Sequence, residues 1–265
     1  MRGDELNSSM KIAVSGKGGS GKTTVSGTLA RAFAADGYDV LAIDDDENPN
    51  LALTLGIPRE REVAPIPGDL LERVQTPDGE TELELAKTPG EIIDDYGVEA
   101  PDGIQLLKMG EVEHAGSGCM CRAHSTAREV LSEVVEDRDE VTVMDMVAGV
   151  EHLGRGTAKD VDTLLVVVEP YYKSLETGQR TRDLADELDI PDVRVVANKV
   201  RDDHDREAIE EFCAENGLEI ATVVPYDDAI RRADQEGAAP IDQDPDAPGA
   251  SAIRELADDL LETYT

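Results

Sequence analysis

Short apolar segments alternate with longer amphipathic segments along most of the chain. Runs rich in Val, Ile, Leu and Ala predict buried strands at residues 11–15, 39–44, 103–110, 141–146, 162–170, 192–200 and 218–225. Apolar residues at helical spacing predict helices at residues 22–37, 122–137, 174–189, 205–217 and 249–264. Strands that are apolar on both faces and alternate with helices are typical of a mainly parallel sheet with helices on both faces. The pattern therefore predicts an α/β fold, and such folds bind ligands at the carboxyl ends of their strands.

The same pattern predicts one domain over residues 11–265. Pro and Gly interrupt acidic stretches at residues 57–103, which we expect to form an inserted, less regular segment. Residues 1–10 lack an apolar signal core and are expected to be a disordered extension, with Met1 or Met10 as the start. No segment has the ~18 apolar residues of a membrane anchor, and three cysteines are too few for a disulfide framework. We therefore expect a cytoplasmic protein with reduced thiols.

Charge is the most unusual feature of the composition. The chain has 59 acidic and 25 basic residues, a formal net charge of −34, and the acids are spread along the periodic segments. We interpret this as a folded protein adapted to high salt, as in a halophile, because salt screens the repulsion between surface carboxylates. An ordinary acidic cytosolic protein is the alternative. The acidic surface disfavours nucleic acid as a partner, since phosphate backbones are bound by basic surfaces, but this argument is weaker for a high-salt protein because every protein in such a cell is acidic.

A glycine-rich loop lies between the first predicted strand and the first predicted helix. It fits the phosphate-loop pattern, in which backbone amides and a helix N-terminus surround phosphates. We expect Lys22 to reach the β and γ phosphates of ATP, Thr23 to ligate Mg²⁺, and Thr24 to contact the α phosphate. The predicted nucleotide-binding residues of the loop are Gly16, Lys17, Gly18, Gly19, Ser20, Gly21, Lys22, Thr23 and Thr24.

The loop contains a second lysine, Lys17, in addition to Lys22. Two lysines in this arrangement resemble the deviant Walker A P-loop NTPases, the SIMIBI family that includes MinD, ParA and the nitrogenase iron protein. The resemblance implies that Lys17 crosses a dimer interface to the partner's nucleotide. It also implies that ATP binding drives formation of a homodimer.

Two further strand ends carry carboxylates. Residues 43–50, IDDDENPN, contain Asp44 and Asp46, and residues 141–149, VTVMDMVAG, contain Asp145 and Gly149. We expect Asp46 to orient the attacking water, with Asp44 supporting it or the magnesium. We expect Asp145 to hold Mg²⁺ through a water and Gly149 to let the backbone follow the γ phosphate. By resemblance these segments are the two switches of the family.

Two later strand ends are candidates for binding the nucleotide base. Residues 197–200, ANKV, and 224–230, VPYDDAI, resemble the base-binding segments of the same family. The resemblance implies that Asn198 meets the adenine, with Lys199 beside it. A plain strand end is the alternative interpretation of residues 197–200.

Cys119 and Cys121 form a Cys-x-Cys pair in GSGCMCRAH, residues 116–124. Two thiolates can chelate a metal ion but cannot complete a tetrahedral site. Two chains joined by ATP would supply four sulfurs, so the pair predicts a metal site shared between partners. The alternatives are small buried residues, or a Cys₂His₂ site within one chain that uses His114 and His124. Cys213 is expected to lie in the core.

The cysteine pair and residues 145–170, DMVAGVEHLGRGTAKDVDTLLVVVEP, narrow the resemblance. Together they are similar to the CooC-type ATPases, which assist nickel insertion into carbon monoxide dehydrogenase. The resemblance covers about residues 10–235 and implies an ATP-hydrolysing metallochaperone with Zn²⁺ or Ni²⁺ in the shared site. The implied partner is a client metalloenzyme, possibly carbon monoxide dehydrogenase.

Two other functions are compatible with the two lysines. A spatial positioning ATPase of the MinD/ParA type would need a membrane-binding or DNA-binding surface, which the acidic C-terminal helix does not provide. A reductase with an iron–sulfur cluster at the dimer axis, like the nitrogenase iron protein, would take its cysteines from two separated segments. This chain offers a tight pair instead.

Overall fold

The structure is a computed structural model that describes residues 9–46, 48–67, 70–75, 81–109, 141–147 and 161–264. Side chains within those ranges are described except at residues 71–73 and 81–84. Several predictions fall outside the described residues. They are the helix at 122–137, Gly149, the cysteine pair Cys119 and Cys121, and the histidines His114 and His124.

Within the described part of the chain, ten strands form two sheets. They are β1 (Met10–Gly16), β2 (Val40–Asp45), β3 (Leu71–Gln75), β4 (Thr81–Leu85), β5 (Val98–Glu99), β6 (Gln105–Lys108), β7 (Val141–Met146), β8 (Thr163–Val168), β9 (Asp192–Val200) and β10 (Glu219–Pro225). The main sheet has the order β10-β9-β8-β1-β7-β2-β6-β5, and every neighbouring pair in it is parallel except β5 with β6. Strands β3 and β4 form a separate antiparallel hairpin.

Helices cover both faces of the main sheet. Within the described residues they are α1 (Lys22–Ala35), α2 (Leu51–Thr54), α3 (Pro89–Tyr96), α4 (Tyr172–Glu187), α5 (Asp203–Glu215), α6 (Asp228–Glu236), α7 (Pro240–Gln243) and α8 (Pro248–Tyr264), with a 3₁₀ turn at Pro101–Gly103. None of these combines the length and the apolar character that a membrane crossing requires.

Two hydrophobic cores lie on opposite faces of the sheet, because successive strand side chains point to opposite sides. Ile12 and Val14 of β1 belong to the core that α1 and α8 cover, whereas Ala13 belongs to the core that α3, α4 and α5 cover. Cys213, only 2% exposed, lies in the second core as expected. The central position of β1 places the glycine-rich loop in the middle of the sheet edge.

The predicted α/β fold is confirmed, and the strands at 141–146 and 192–200 have the predicted bounds. The segment at 57–103 is more regular than predicted, since it contains the β3–β4 hairpin, α3 and the antiparallel edge strand β5. Helix α3 begins with a capping box between Thr88 and Glu91, a signal that was readable in the sequence. Strand β1 begins one residue before the predicted boundary, and Met10 is buried in the core.

Candidate active site

The glycine-rich loop leaves β1 and enters α1 through positions that require glycine. Gly16 has a φ of 151°, and a Cβ there would lie 2.4 Å from the carbonyl oxygen of Val167. Gly21, the N-cap of α1, has a φ of 100°, and a Cβ there would lie 2.2 Å from Nδ2 of Asn198. No side chain caps the helix and its first turn contains no acid, so its amide groups are open to an anion.

The two lysines of the loop point to different surroundings. Lys22 is 6% exposed and its Nζ lies 3.4 Å from Oδ2 of Asp46. The Nζ of Lys17 lies 5.4 Å from the centre of the Tyr171 ring, a cation–π contact. The structure thus brings Asp46 to Lys22 and places Lys17 beside Tyr171 instead.

Asp44 and Asp145 lie side by side, because β2 and β7 are parallel and these residues are register partners. Asp44 accepts hydrogen bonds from the backbone N–H of Leu51 (3.0 Å) and of Asp46 (3.3 Å). Burial nevertheless raises the pKa of Asp44 to about 6. Asp44 therefore anchors the switch segment while facing Asp145.

Asp145 is fully buried at the end of β7. Its Oδ1 accepts a hydrogen bond from the Ser26 hydroxyl at 3.1 Å, and its Oδ2 is buried without a partner among the described residues. Burial raises the pKa of Asp145 to about 7, and Asp44 adds repulsion, while Thr23 and Lys22 act in the opposite direction. The unpartnered oxygen and the raised pKa mark a place where a cation would be stabilised.

Asp45 completes a run of three carboxylates. Burial, with repulsion from Asp44 and Asp46, raises the pKa of Asp45 to about 7. The sequence did not single out Asp45.

A cavity of about 630 Å³ opens beside the loop. Gly19, Gly21, Lys22, Thr23 and Thr24 line one part of it, and their role at the phosphates stays a prediction. Other lining residues come from later strand ends and from α6, namely Asn198, Lys199, Arg201, Pro225, Tyr226, Asp227, Ile230 and Arg231. Both segments predicted to meet the base therefore lie on the cavity that the phosphate loop borders.

Asn198 and Lys199 make contacts that brace the loop. Asn198 donates its Nδ2 to the carbonyl oxygen of Ser20 at 2.7 Å and accepts from the backbone N–H of Lys199 at 2.9 Å. The Nζ of Lys199 donates to the carbonyl oxygen of Gly19 at 2.5 Å and pairs with Glu169 at 2.9 Å. The side-chain amide of Asn198 still has a second N–H and further lone pairs with which it could bind adenine. Its contact with adenine stays a prediction.

Glu169, Tyr171 and Ser26 belong to the site but were not predicted. Glu169 lies directly after β8 and is 6% exposed. Its carboxylate forms an ion pair with Lys199 and accepts a hydrogen bond from the hydroxyl of Tyr171. A charged residue at the end of an apolar strand is the same signal that identified Asp44 and Asp145. Ser26 lies one helical turn after Lys22, and periodicity gives no sign that it would face Asp145.

The residues present fit a nucleoside triphosphate with magnesium. The helix N-terminus is open, Lys22 and Lys199 flank the loop, and Asp145, whose carboxylate interacts with Thr23 and Ser26, has one oxygen without a partner among the described residues. Among the described residues, no three His, Cys, Asp or Glu side chains converge on one metal position. Thr23 and Asp145 offer oxygen ligands of the type that magnesium prefers, and proteins usually bind this ion through one or two side chains together with phosphates and water.

Comparison with known sequences agrees with this site. Residues 11–241 match the CobQ/CobB/MinD/ParA nucleotide binding domain. The chain is 40% identical over 242 residues to the carbon monoxide dehydrogenase accessory protein CooC of Rhodospirillum rubrum, a match that covers 89% of this chain and 91% of that protein. It is also 40% identical over 227 residues to an uncharacterised ATP-binding protein of Methanocaldococcus jannaschii, covering 83% of this chain and 87% of that one.

Comparison with solved structures agrees on the fold. A chain of the MinC:MinD cell division protein complex of Aquifex aeolicus superimposes with a TM-score of 0.72 at 22% identity, over 96% of each chain. The septum site-determining protein MinD of Pyrococcus horikoshii, complexed with Mg-ADP, gives a TM-score of 0.68 at 20% identity. That match covers 97% of this chain and 99% of the other. At these identities the comparison supports the fold alone.

Proposed function

The chain belongs to the CobQ/CobB/MinD/ParA nucleotide-binding family and is a P-loop ATPase, and from that premise we propose that it is a metallochaperone for a client enzyme. The observation that carries the proposal is the 40% identity to a carbon monoxide dehydrogenase accessory protein over nearly its whole length. On this proposal, ATP hydrolysis is coupled to delivery of a nickel or zinc ion. The client would be an enzyme like carbon monoxide dehydrogenase.

The described residues support a specific division of roles in ATP hydrolysis. Lys22 leaves Asp46 for the β and γ phosphates, since a buried ammonium gains more from phosphate oxygens than from one carboxylate at 3.4 Å. Asp46 is then available to hold the attacking water. Thr23 and Asp145 would hold magnesium, which when bound neutralises charge on the phosphates.

The two lysines support an ATP-dependent homodimer. Lys17 is absent from the lining of the cavity that holds Lys22, and its ammonium lies over the ring of Tyr171. A cation placed there is suited to reach a nucleotide bound by a partner chain. Dimerisation would bring two copies of Cys119 and Cys121 together and give four thiolate ligands for the cargo metal.

The proposal is tested by measuring molar mass and metal content together. Protein purified without oxygen in molar KCl is loaded with Zn²⁺ or Ni²⁺ and compared in ADP and in a non-hydrolysable ATP analogue by light scattering. We expect a dimer with one metal ion per two chains only in the ATP analogue. Cys119→Ser should abolish metal binding and leave nucleotide binding intact, whereas Cys213→Ala, at a buried site on α5, should retain the metal.

Two outcomes would contradict the proposal in different ways. Metal binding that survives Cys119→Ser would exclude the shared cysteine site. An ATP-dependent dimer that never takes up metal would favour a spatial positioning ATPase, and vesicle and DNA co-sedimentation at the same salt concentration would then identify its surface.

Substitution of the two lysines separates binding from dimer-dependent hydrolysis. Lys22→Ala should weaken ATP binding by about 100-fold or more, because a buried charge-assisted contact to phosphate is lost. Lys17→Ala should leave ATP binding by the monomer within a few fold and remove the increase in specific activity with protein concentration. Calorimetric titration and ATPase assays over a range of protein concentrations measure these effects. Equal losses in both variants would exclude a trans role for Lys17.

A further inference from the structure

Each of the three lysines around the loop has a different partner in the free chain. Lys22 pairs with the carboxylate of Asp46, and Lys199 pairs with the carboxylate of Glu169. Lys17 pairs with no carboxylate among the described residues, and its recorded contact is the ring of Tyr171. Lys17 is thus held by a neutral group, although acids outnumber bases by more than two to one in this chain.

The Tyr171 ring is held in place from several directions. Its hydroxyl donates to the buried carboxylate of Glu169, and its backbone N–H donates to the carbonyl oxygen of Glu169 at 2.7 Å. Its own carbonyl accepts from Ser174 at 2.9 Å at the start of α4. Burial and the hydrogen bond to Glu169 raise the pKa of Tyr171 to about 12, so the phenol stays a neutral donor. The ring is therefore a fixed platform, although it is 48% exposed.

Glu169, which holds the Tyr171 ring, is also connected to the phosphate loop. Glu169 also pairs with Lys199, and the same ammonium donates to the carbonyl oxygen of Gly19. Lys199 adopts a left-handed backbone conformation, with a φ of 59°, which is costly for a residue with a side chain. The strained backbone therefore occurs at Lys199, the residue that connects Glu169 to the phosphate loop.

We propose that Tyr171 is a positioning residue that holds Lys17 in the free chain and releases it when two chains join. This inference rests on the proposed role of Lys17 in trans. A neutral ring keeps an ammonium in place at small cost, so Lys17 can exchange the ring for the partner's phosphates. A carboxylate partner in the same place would bind Lys17 more strongly and would repel the incoming nucleotide.

The first test reads the contact in the free chain and needs no dimer. Trace labelling with acetic anhydride, followed by mass spectrometry, reports the reactivity of Lys17 relative to Lys87 in nucleotide-free protein. Tyr171→Leu should raise the relative reactivity of Lys17 about two- to five-fold, the factor expected for loss of a partly exposed cation–π contact. Tyr172→Leu, at a neighbour that is 71% exposed, should have no such effect. Tyr171→Phe, which keeps the ring and its backbone contacts but loses the hydroxyl that donates to Glu169, should raise the reactivity less than Tyr171→Leu does.

The second test measures the dimer dissociation constant in a non-hydrolysable ATP analogue. Tyr171→Leu should tighten the dimer about four- to 25-fold, the square of the factor for one contact, because each dimer releases two Lys17 side chains and neither release any longer costs the ring contact. The same substitution made in Lys17→Ala should change nothing, since the residue acts through Lys17.

The results separate failure of this inference from failure of the proposed function. Unchanged Lys17 reactivity in Tyr171→Leu would overturn the positioning role, as would an equal effect on the dimer with and without Lys17. A dimer weakened by Tyr171→Leu in both backgrounds would make the ring an interface residue instead. If the wild-type chain forms no ATP-dependent dimer, the trans role of Lys17 fails, and the labelling experiment still decides whether the ring holds the ammonium.

Discussion

At the scale of single residues, the site contains more negative charge than its surroundings neutralise. Asp44 and Asp145 lie on adjacent strands, and Asp145 has an oxygen without a partner among the described residues. Lys22 is near enough to stabilise these carboxylates, but its ion pair is with Asp46. Such an arrangement is costly in the free protein and is relieved when a cation arrives. On the proposed function, relief of this unfavourable arrangement would contribute to the binding of magnesium.

Asp145 should make the free protein less stable as the pH rises. Its folded pKa of about 7 exceeds the unfolded value of about 3.9, so the folded chain binds more protons between these pH values. The free energy of unfolding should therefore fall as the pH rises from about 4 to 7, by up to about 4 kcal/mol from this group. Urea denaturation of the wild type and of Asp145→Asn, at several pH values in EDTA, measures how the free energy of unfolding depends on pH.

The variant should be more stable than the wild type at pH 8 and about equal to it near pH 4, because a neutral amide replaces the carboxylate. Asp258→Asn, at an exposed aspartate of α8 away from the loop, serves as a control. Parallel pH profiles for wild type and Asp145→Asn would show that Asp145 is already ionised at low pH in the folded protein.

At the scale of elements, Arg31 fixes α2 relative to α1. Arg31 of α1 donates to the carbonyl oxygen of Leu55 at 3.0 Å, directly after α2. It also pairs with Asp242 of α7 at 2.7 Å and with Asp102 of the 3₁₀ turn at 2.8 Å. The other end of α2 is held by the bond from Leu51 to Asp44. Helix α2 is thus anchored at both ends, which gives the turn bearing Asp46 a rigid support.

Arg31→Met should destabilise the protein by about 2 kcal/mol. A guanidinium with 9% exposure loses three partners, and the partly exposed Asp102 and Asp242 keep the loss below the 3–5 kcal/mol of a fully buried pair. Arg180→Met is the matched control, because its side chain is 73% exposed and its pair with Glu176 contributes at most about 0.5 kcal/mol. Chemical denaturation measures the loss of unfolding free energy in both variants. Equal losses would show that the Arg31 contacts add no stability beyond that of an exposed pair.

At the scale of the whole molecule, net charge dominates the response to solution conditions. The formal net charge of −34 on 265 residues produces repulsion that the folded state concentrates in a smaller volume than the unfolded chain. Salt shortens the screening length from about 10 Å at 0.1 M to about 3 Å at 1 M. Adaptation to high salt remains a proposal that rests on this composition.

The midpoint of thermal unfolding should rise by about 10 °C or more between 0.1 M and 2 M KCl, since screening reduces repulsion mainly in the folded state. Scanning calorimetry without nucleotide measures the shift. Most of the rise should be complete near 1 M, where the screening length is already shorter than the spacing of most surface charges. A midpoint that stays within about 2 °C over the series would contradict the high-salt interpretation.

The sequence by itself determined the fold class, most strand and helix positions and the identity of the phosphate loop. All three features depend on local patterns, namely the spacing of apolar residues and the glycines that the loop backbone requires at positions 16 and 21. Strand ends also located Asp44, Asp145 and Asn198 correctly at one edge of the sheet. The β3–β4 hairpin and α2 were missed because short elements carry little periodic signal.

Only the tertiary structure decided which of these residues meet. The strand order puts β7 between β1 and β2, and this brings Asp145 beside Asp44 although about 100 residues separate them. The phosphate loop is also contacted from distant strand ends. Lys199 donates a hydrogen bond to the carbonyl oxygen of Gly19, and the ring of Tyr171 contacts Lys17. Such contacts depend on the packing of the whole chain, whereas sequence patterns report only the local conformation of each segment.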